Sequence, residues 1–253
     1  GEYVSEWANE MPEDADPVMW GKQRAMADVR RSLESMNVVF DMWASEQSLV
    51  ESGAMTEIIE TLRKSKWIEE REGATWLRTS EFGDEKDRVL IKSDGEPTYF
   101  LPDIAYHHSK FSRGDHVIDI LGADHHGYVA RMSAAMQMLG HPKASYEAII
   151  GQNVTLIRGG EEVRLSKRTG TMVEVRELVE AVGPDMARFA YLLQSIDTRQ
   201  TIDIDALSKK ANENPVFYVQ YAHARIAAVG REAVNRGVGR QDLHPKRCAR
   251  RHK

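Results

Sequence analysis

Apolar positions recur at helical spacing between residues 21 and 36, where Met26, Val29, Leu33 and Met36 form one stripe, so a helix is predicted there. Val38-Val39-Phe40 switches to strand character, and a second helix is predicted over roughly Met55–Lys64. Trp67–Arg78 is expected to be a hairpin turning at Glu72-Gly73. Val89-Leu90-Ile91 leads into Asp94-Gly95, a strong hairpin-turn dipeptide, and a return segment from Pro97 to Phe100. Pro102 suits the first position of a helix running to about Phe111. His116–Leu121 reads as a short buried-type strand bounded by Gly114 and Gly122, and a helix follows with Val129, Met132, Met136 and Leu139 on one face, stopped by Gly140 and Pro142. Ala148–Gly151 and Val154–Ile157 are further strands. Thr171 and Glu174 form a capping box for a helix through Val182, and Gly183-Pro184 separates it from another over Asp185–Gln194.

Up to about residue 200 strands alternate with helices, the pattern of an α/β unit with a mostly parallel sheet covered on both faces. After Asp203 the strand pattern disappears. Ala211–Val234 is predicted as one long helix, with Phe217, Tyr221, Ala224 and Ala228 in register, and one or two helices cannot supply a core of their own. A second, helical domain is therefore expected, with only its beginning present.

Composition narrows this picture without identifying a partner. The chain has 253 residues, enough for one to two domains, and its 42% hydrophobic and 29% charged content is ordinary for a globular protein. No apolar run reaches the roughly 20 residues of a membrane span, and Gly1–Glu6 lacks the basic and apolar regions of a signal peptide. A single cysteine, Cys248, leaves no intramolecular disulfide and no multi-cysteine zinc site, so a cytoplasmic setting is expected. The net charge of −5 is uneven: residues 231–253 carry eight Lys/Arg against two acids, leaving the rest at −11. That acidic body is not the footprint of a general nucleic-acid binder.

Three segments carry candidate chemistry. Val163-Arg164-Leu165-Ser166-Lys167-Arg168-Thr169-Gly170 follows a Gly159-Gly160 turn and precedes a helix. A hydroxyl beside a mobile lysine in a glycine-bounded loop suits polyphosphate, although a solvated basic turn has the same composition, and Walker spacing is missing. Leu121-Gly122-Ala123-Asp124-His125-His126-Gly127 closes a strand and opens a helix, where ligands of α/β sheets sit. Gly122 lets a ligand approach the backbone and Asp124 suits ribose hydroxyls. His125 and His126, as sequence neighbours, point to different faces, and no protein-bound metal is expected. In Tyr99-Phe100-Leu101-Pro102-Asp103, Tyr99 closes a strand and Asp103 lies in the first helical turn. An acid there is favoured by the helix dipole whatever the function, but it also fits a planar guanidinium, as does Glu46.

Together these fragments resemble one family. Tyr99–His107, Gly122–Tyr128, Leu165–Gly170 and the run Asn212-Glu213-Asn214-Pro215-Val216-Phe217-Tyr218-Val219-Gln220-Tyr221-Ala222-His223-Ala224-Arg225 are similar, in order, to bacterial arginyl-tRNA synthetases of class I. The resemblance covers about Gly1 to Gly237. It implies a partial Rossmann-like class I catalytic core, residues 1–205, followed by the start of an all-α anticodon-binding domain, residues 206–253, with a basic tail unmatched from about Arg240. It implies ligation of arginine to tRNA(Arg) with ATP, supplied as its Mg2+ complex.

By motif, Ser166 and Lys167 fall in the loop that grips the phosphates and carry the catalytic assignment. Tyr99 and Asp103 match the arginine-recognition pair, joined by Glu46, and Gly122, Asp124 and His125 match the segment flanking the nucleotide. The chain departs from the family pattern at Arg164 and Arg168, which replace the loop's first lysine and last serine, and it contains no His-x-Gly-His. The expectation is a piece of an arginine–tRNA ligase from beyond that signature, inactive by itself. A non-enzymatic tRNA- or protein-binding module that keeps the fold is the alternative, as the acidic body and the absent signature both suit it.

Overall fold

Asp16-Pro17 starts the first long helix four residues ahead of the predicted start at residue 21. The Asp16 carboxylate accepts from Met19 N–H at 2.7 Å and Pro17 takes a position in the first turn, where its missing N–H costs nothing. The computed structural model describes residues 2–163, 175–209 and 214–239. They fall into two units, one from residues 1–39, 155–193 and 201–253, the other from residues 40–154 and 194–200.

The first unit opens with α1 (Glu2–Glu10) and α2 (Pro17–Ser35). The end of α2 corrects the sequence expectation for Val38–Phe40, which forms no strand. Asn37 adopts φ 55°, and Val38 N–H donates to Leu33 O at 2.9 Å, so this amide closes the helix instead of entering a ladder. Val39 and Phe40, both exposed, have β propensity but pair with no strand among the described residues. None of the α2 stripe is fully buried.

The second unit holds α3 (Glu46–Glu51), α4 (Ala54–Lys64), β1 (Ile68–Arg71), β2 (Ala74–Leu77), β3 (Arg88–Ile91), α5 (Phe100–Lys110), β4 (Val117–Gly122), α6 (His126–Met138) and β5 (Tyr146–Gly151). The hairpin turns where expected: Glu72 and Gly73 both take positive φ (51° and 75°), the type I′ requirement, and Arg71 pairs with Ala74. β1, β2 and β3 form an antiparallel sheet. The core is Ile58 and Leu62 of α4, Leu77 and Leu90 of the sheet, Phe100, Leu101 and Ile104 of α5, and Met132 and Met136 of α6.

The chain returns to the first unit with β6 (Val154–Arg158), β7 (Glu161–Glu162), α7 (Val175–Val182), α8 (Pro184–Leu192), β8 (Gln200–Asp203), α9 (Ile204–Ser208) and α10 (Pro215–Asn235). Leu156, Leu178, Ala187, Ile202, Ile204 and Val216 are among its buried apolar residues. The long helix α10 begins four residues later than expected. Asn214 is its N-cap, accepting from Val216 N–H at 3.1 Å while its amide donates to Leu207 O at 2.9 Å. The capping box at Thr171 and Glu174 lies outside the described residues.

The expectation of a mostly parallel sheet is also corrected. β4 and β5 pair in parallel, in register from Val117↔Tyr146 to Gly122↔Gly151, while β6–β7 and β1–β2–β3 are antiparallel, and β8 lies beside β6 in the sheet order β7-β6-β8. Strand–helix alternation predicts crossover units, and the β4–α6–β5 segment is one. The 68–77 strands, too close in sequence for a crossover, pair as the expected hairpin.

Candidate functional site

The turn at Asp94-Gly95 brings the chain back to β3 for a single bridge, Ile91↔Pro97, and the expected return strand stops there. Thr98 pins the segment: its N–H donates to Leu90 O at 2.9 Å and its hydroxyl to Val89 O at 2.8 Å. Tyr99 therefore does not close a strand. It has helical backbone angles (φ −57°, ψ −21°) and is the N-cap of α5, which starts two residues before Pro102. Pro is tolerated in this first turn because its missing N–H would have no partner there.

One face of α5 is apolar and buried through Phe100, Leu101, Ile104 and Ala105. Tyr99 and Asp103, four apart, lie on one side of the helix start. Asp103 N–H donates to Tyr99 O at 3.3 Å, and the Tyr99 ring is 88% exposed. Tyr99 lines an open groove of about 500 Å3 together with Glu46, Val50, Met55, Lys92, Pro97, Thr98 and Pro102. Glu46 is the first residue of α3. Two residues 53 positions apart in sequence thus share one groove, as the arginine assignment requires. Lys92, unsuspected from sequence, lines it too, with its ammonium 3.4 Å from Asp94.

Asp103 itself is partly buried, and Tyr128 donates its hydroxyl to Oδ2. The Asp103 carbonyl also accepts from His107 Nδ1 at 2.7 Å. The other ring nitrogen of His107 stands 2.5 Å from Oδ2 of Asp119 on β4, which additionally accepts from Lys110 at 2.5 Å and from the Tyr146 hydroxyl at 2.8 Å. Burial alone would raise the Asp119 carboxyl. The bonds from His107, Lys110 and Tyr146 outweigh it and hold the group well below the usual carboxylate range. Burial and the Asp119 charge push the Tyr146 hydroxyl upward. This cluster fastens α5 to the parallel strand pair, and nothing in the hydrophobic pattern announced it.

A lowered carboxyl contributes stability that is present above the unfolded-state value, about 4, and is lost as pH falls toward the folded-state value. Asp119→Asn is therefore expected to destabilise the chain by about 3–5 kcal/mol at pH 7, the cost of leaving the Lys110 ammonium without its carboxylate. The deficit should shrink below pH 4, and urea unfolding at pH 7 and pH 3 measures both arms.

Gly122 ends β4, and Ala123–His125 form one tight turn before α6. The turn lies at the carboxyl ends of β4 and β5, beside the paired glycines Gly122 and Gly151. A Cβ at position 122 would come within 2.7 Å of the Asp124 carboxylate, so an alanine there requires that side chain to move. Asp124 is 84% exposed at its side chain, and His125 Nε2 lies 3.7 Å from it. Both are available to a ligand. The His125 ring meets Tyr128 edge-on at 6.2 Å, and Tyr128 meets Phe100 at 6.3 Å, with the Arg131 guanidinium 5.6 Å from the Tyr128 ring. Tyr128 thus joins the Gly122–Gly127 turn to Asp103. It lies in the Gly122–Tyr128 motif, but the partner of its hydroxyl shows only in the tertiary contact. Ser166 and Lys167 lie outside the described residues, as do Arg164 and Arg168.

The parallel strand pair crossed by one helix, with the Gly122–His125 turn at its carboxyl ends, belongs to a chain that shares the fold of class I aminoacyl-tRNA synthetases. Methionyl-tRNA synthetase of Mycobacterium tuberculosis, solved with methionyl-adenylate, shares that fold at a TM-score of 0.56 and 12% identity over 82% of this chain and 57% of that one. Thermus thermophilus arginyl-tRNA synthetase shares it at 0.68 and 17% over 86% of this chain and 48% of that one. A Campylobacter jejuni protein assigned as an arginyl-tRNA synthetase is similar at 0.77 and 38% identity, over 92% of this chain and 51% of that one.

Residues 8–227 match the family described as tRNA synthetases class I (R), catalytic domain, and the chain belongs to it. Its curated relatives include arginine–tRNA ligases of Desulforamulus reducens, 49% identical over 85% of this chain, and of Bacillus subtilis, 46% identical over 87%. The chain spans 38% and 40% of the length of those two. No helix among the described residues is long and apolar enough to cross a membrane.

Proposed function

We propose that these residues belong to an arginine–tRNA ligase and contribute its arginine pocket, the nucleotide-flanking turn and one phosphate-gripping loop. The substrates are arginine, ATP with Mg2+, and tRNA(Arg). In the first step the arginine carboxylate attacks the α-phosphorus of ATP, forming arginyl-adenylate and releasing pyrophosphate, and in the second the arginyl group passes to tRNA. The observation that carries this reading is the grouping of Tyr99 and Glu46 in one groove, with Asp103 one helical turn from Tyr99. Carboxylates suit a guanidinium, the one feature that separates arginine from most other amino acids, and the Tyr99 hydroxyl adds an acceptor. Asp124 and His125, exposed at the carboxyl end of β4, suit the ribose and base of ATP.

The protein's part in such chemistry is positioning and charge stabilisation, without a covalent enzyme intermediate. Lys167 supplies the charge that the phosphates develop, Ser166 a hydroxyl donor, and because Arg168 stands where the family has serine, Lys167 carries more of that role. Residues from 206 onward begin the helical domain that reads the anticodon. In a complete ligase containing these residues, Lys167→Ala is expected to lower kcat of arginine-dependent ATP–pyrophosphate exchange by about 10²-fold, the scale of one preorganised electrostatic donor, with arginine KM nearly unchanged. Exchange at the parent rate would leave the loop a surface turn. Absence of arginine-dependent exchange in the parent would reject the function itself.

A further inference from the structure

We propose that Tyr128 is a positioning residue for arginine recognition, its hydroxyl holding one oxygen of the Asp103 carboxylate so that the other is presented to the guanidinium. This rests on the reading of Asp103 as an arginine-binding carboxylate. The backbone of Asp103 is already fixed, because His107 Nδ1 bonds its carbonyl at 2.7 Å and its own N–H bonds Tyr99 O. What remains is rotation of the carboxylate about its terminal torsion, which is broad and two-fold for aspartate and has no steric preference to select one orientation. The Tyr128 hydroxyl, donated to Oδ2, supplies that selection and leaves Oδ1 to accept from a ligand.

The donor is itself held. The Tyr128 ring is half-buried, edge-on to Phe100 and His125 and beside the Arg131 guanidinium. Burial, and then the Asp103 charge, push its hydroxyl above its ordinary value, so it remains protonated throughout any assay range. Because Tyr128 follows the Gly122–Gly127 turn directly, the same ring fixes the orientation of Asp103 from the nucleotide side of the site.

Tyr128→Phe keeps the ring and its packing and removes only the donor. In a complete ligase containing these residues it is expected to raise arginine KM by about 10-fold or more, the scale of a hydrogen bond to a charged group, while ATP KM, kcat and the melting temperature stay near the parent's. In an Asp103→Asn background, Tyr128→Phe should add less than about 2-fold, since it acts through that carboxylate. An unchanged arginine KM in Tyr128→Phe, beside a raised one in Asp103→Asn, overturns this proposal and leaves the Asp103 reading intact. An unchanged KM in both variants removes the Asp103 reading and this proposal with it. Multiplicative effects in the double variant, or a lowered melting temperature with arginine and ATP weakened equally, also overturn it by making Tyr128 an independent or merely structural residue.

Discussion

Asp103→Asn in a complete ligase containing this chain is expected to raise arginine KM by about 10²–10³-fold, while ATP KM stays close to the parent value. The size follows from leaving a desolvated cation without its partner, roughly 3–5 kcal/mol. The geometry sharpens it. Tyr128 donates to one Asp103 oxygen, and the amide oxygen of an asparagine would occupy that position. Its NH2 group, a donor only, would then face the guanidinium. Tyr99→Phe tests the same groove more gently, since a largely exposed ring loses only a hydroxyl. Steady-state ATP–pyrophosphate exchange with arginine and ATP varied in turn separates the cases. Equal weakening of both substrates would instead make Asp103 a helix-start residue whose loss damages α5.

The second large effect concerns the 253-residue chain by itself. Purified alone, it is expected to give no arginine-dependent ATP–pyrophosphate exchange above background, with or without tRNA, beside a complete ligase as the positive control. Its sequence contains the Ser166–Lys167 loop but no His-x-Gly-His, so under the proposed function the triphosphate would be gripped from one side only. Holding both reactants in line is worth about 7–11 kcal/mol of the barrier, and that advantage needs both sides together. Weak arginine binding, measured calorimetrically, is compatible with this because Glu46, Tyr99 and Asp103 are all within the chain. Robust exchange would show the signature to be dispensable and would overturn this account of the chemistry.

Residues that act through local backbone chemistry were readable directly. Glu72-Gly73 and Asp94-Gly95 turned where their positive-φ tolerance allows, Gly140 and Pro142 ended α6, and Met132 and Met136 went into the core as their spacing demanded. Val38–Phe40 misled because strand propensity has meaning only beside a partner strand, and an amide already used to close α2 cannot serve a ladder. Tyr99 misled for the related reason that one bridge at Pro97 ends the pairing before Phe100 enters the core.

The candidate site divides along the same line. The motifs at Tyr99–Asp103, Gly122–Tyr128 and Leu165–Gly170 determined by themselves which family the chain belongs to, because residue identity in order along the chain is what a family shares. Tertiary structure alone brought Glu46 and Lys92 into one groove with Tyr99, gave the Asp103 carboxylate its partner in Tyr128, and buried Asp119 among His107, Lys110 and Tyr146. Those groupings join residues 7 to 53 positions apart across separate elements. Periodicity reports which face of an element is buried, whereas the partner of a polar side chain depends on how two faces meet.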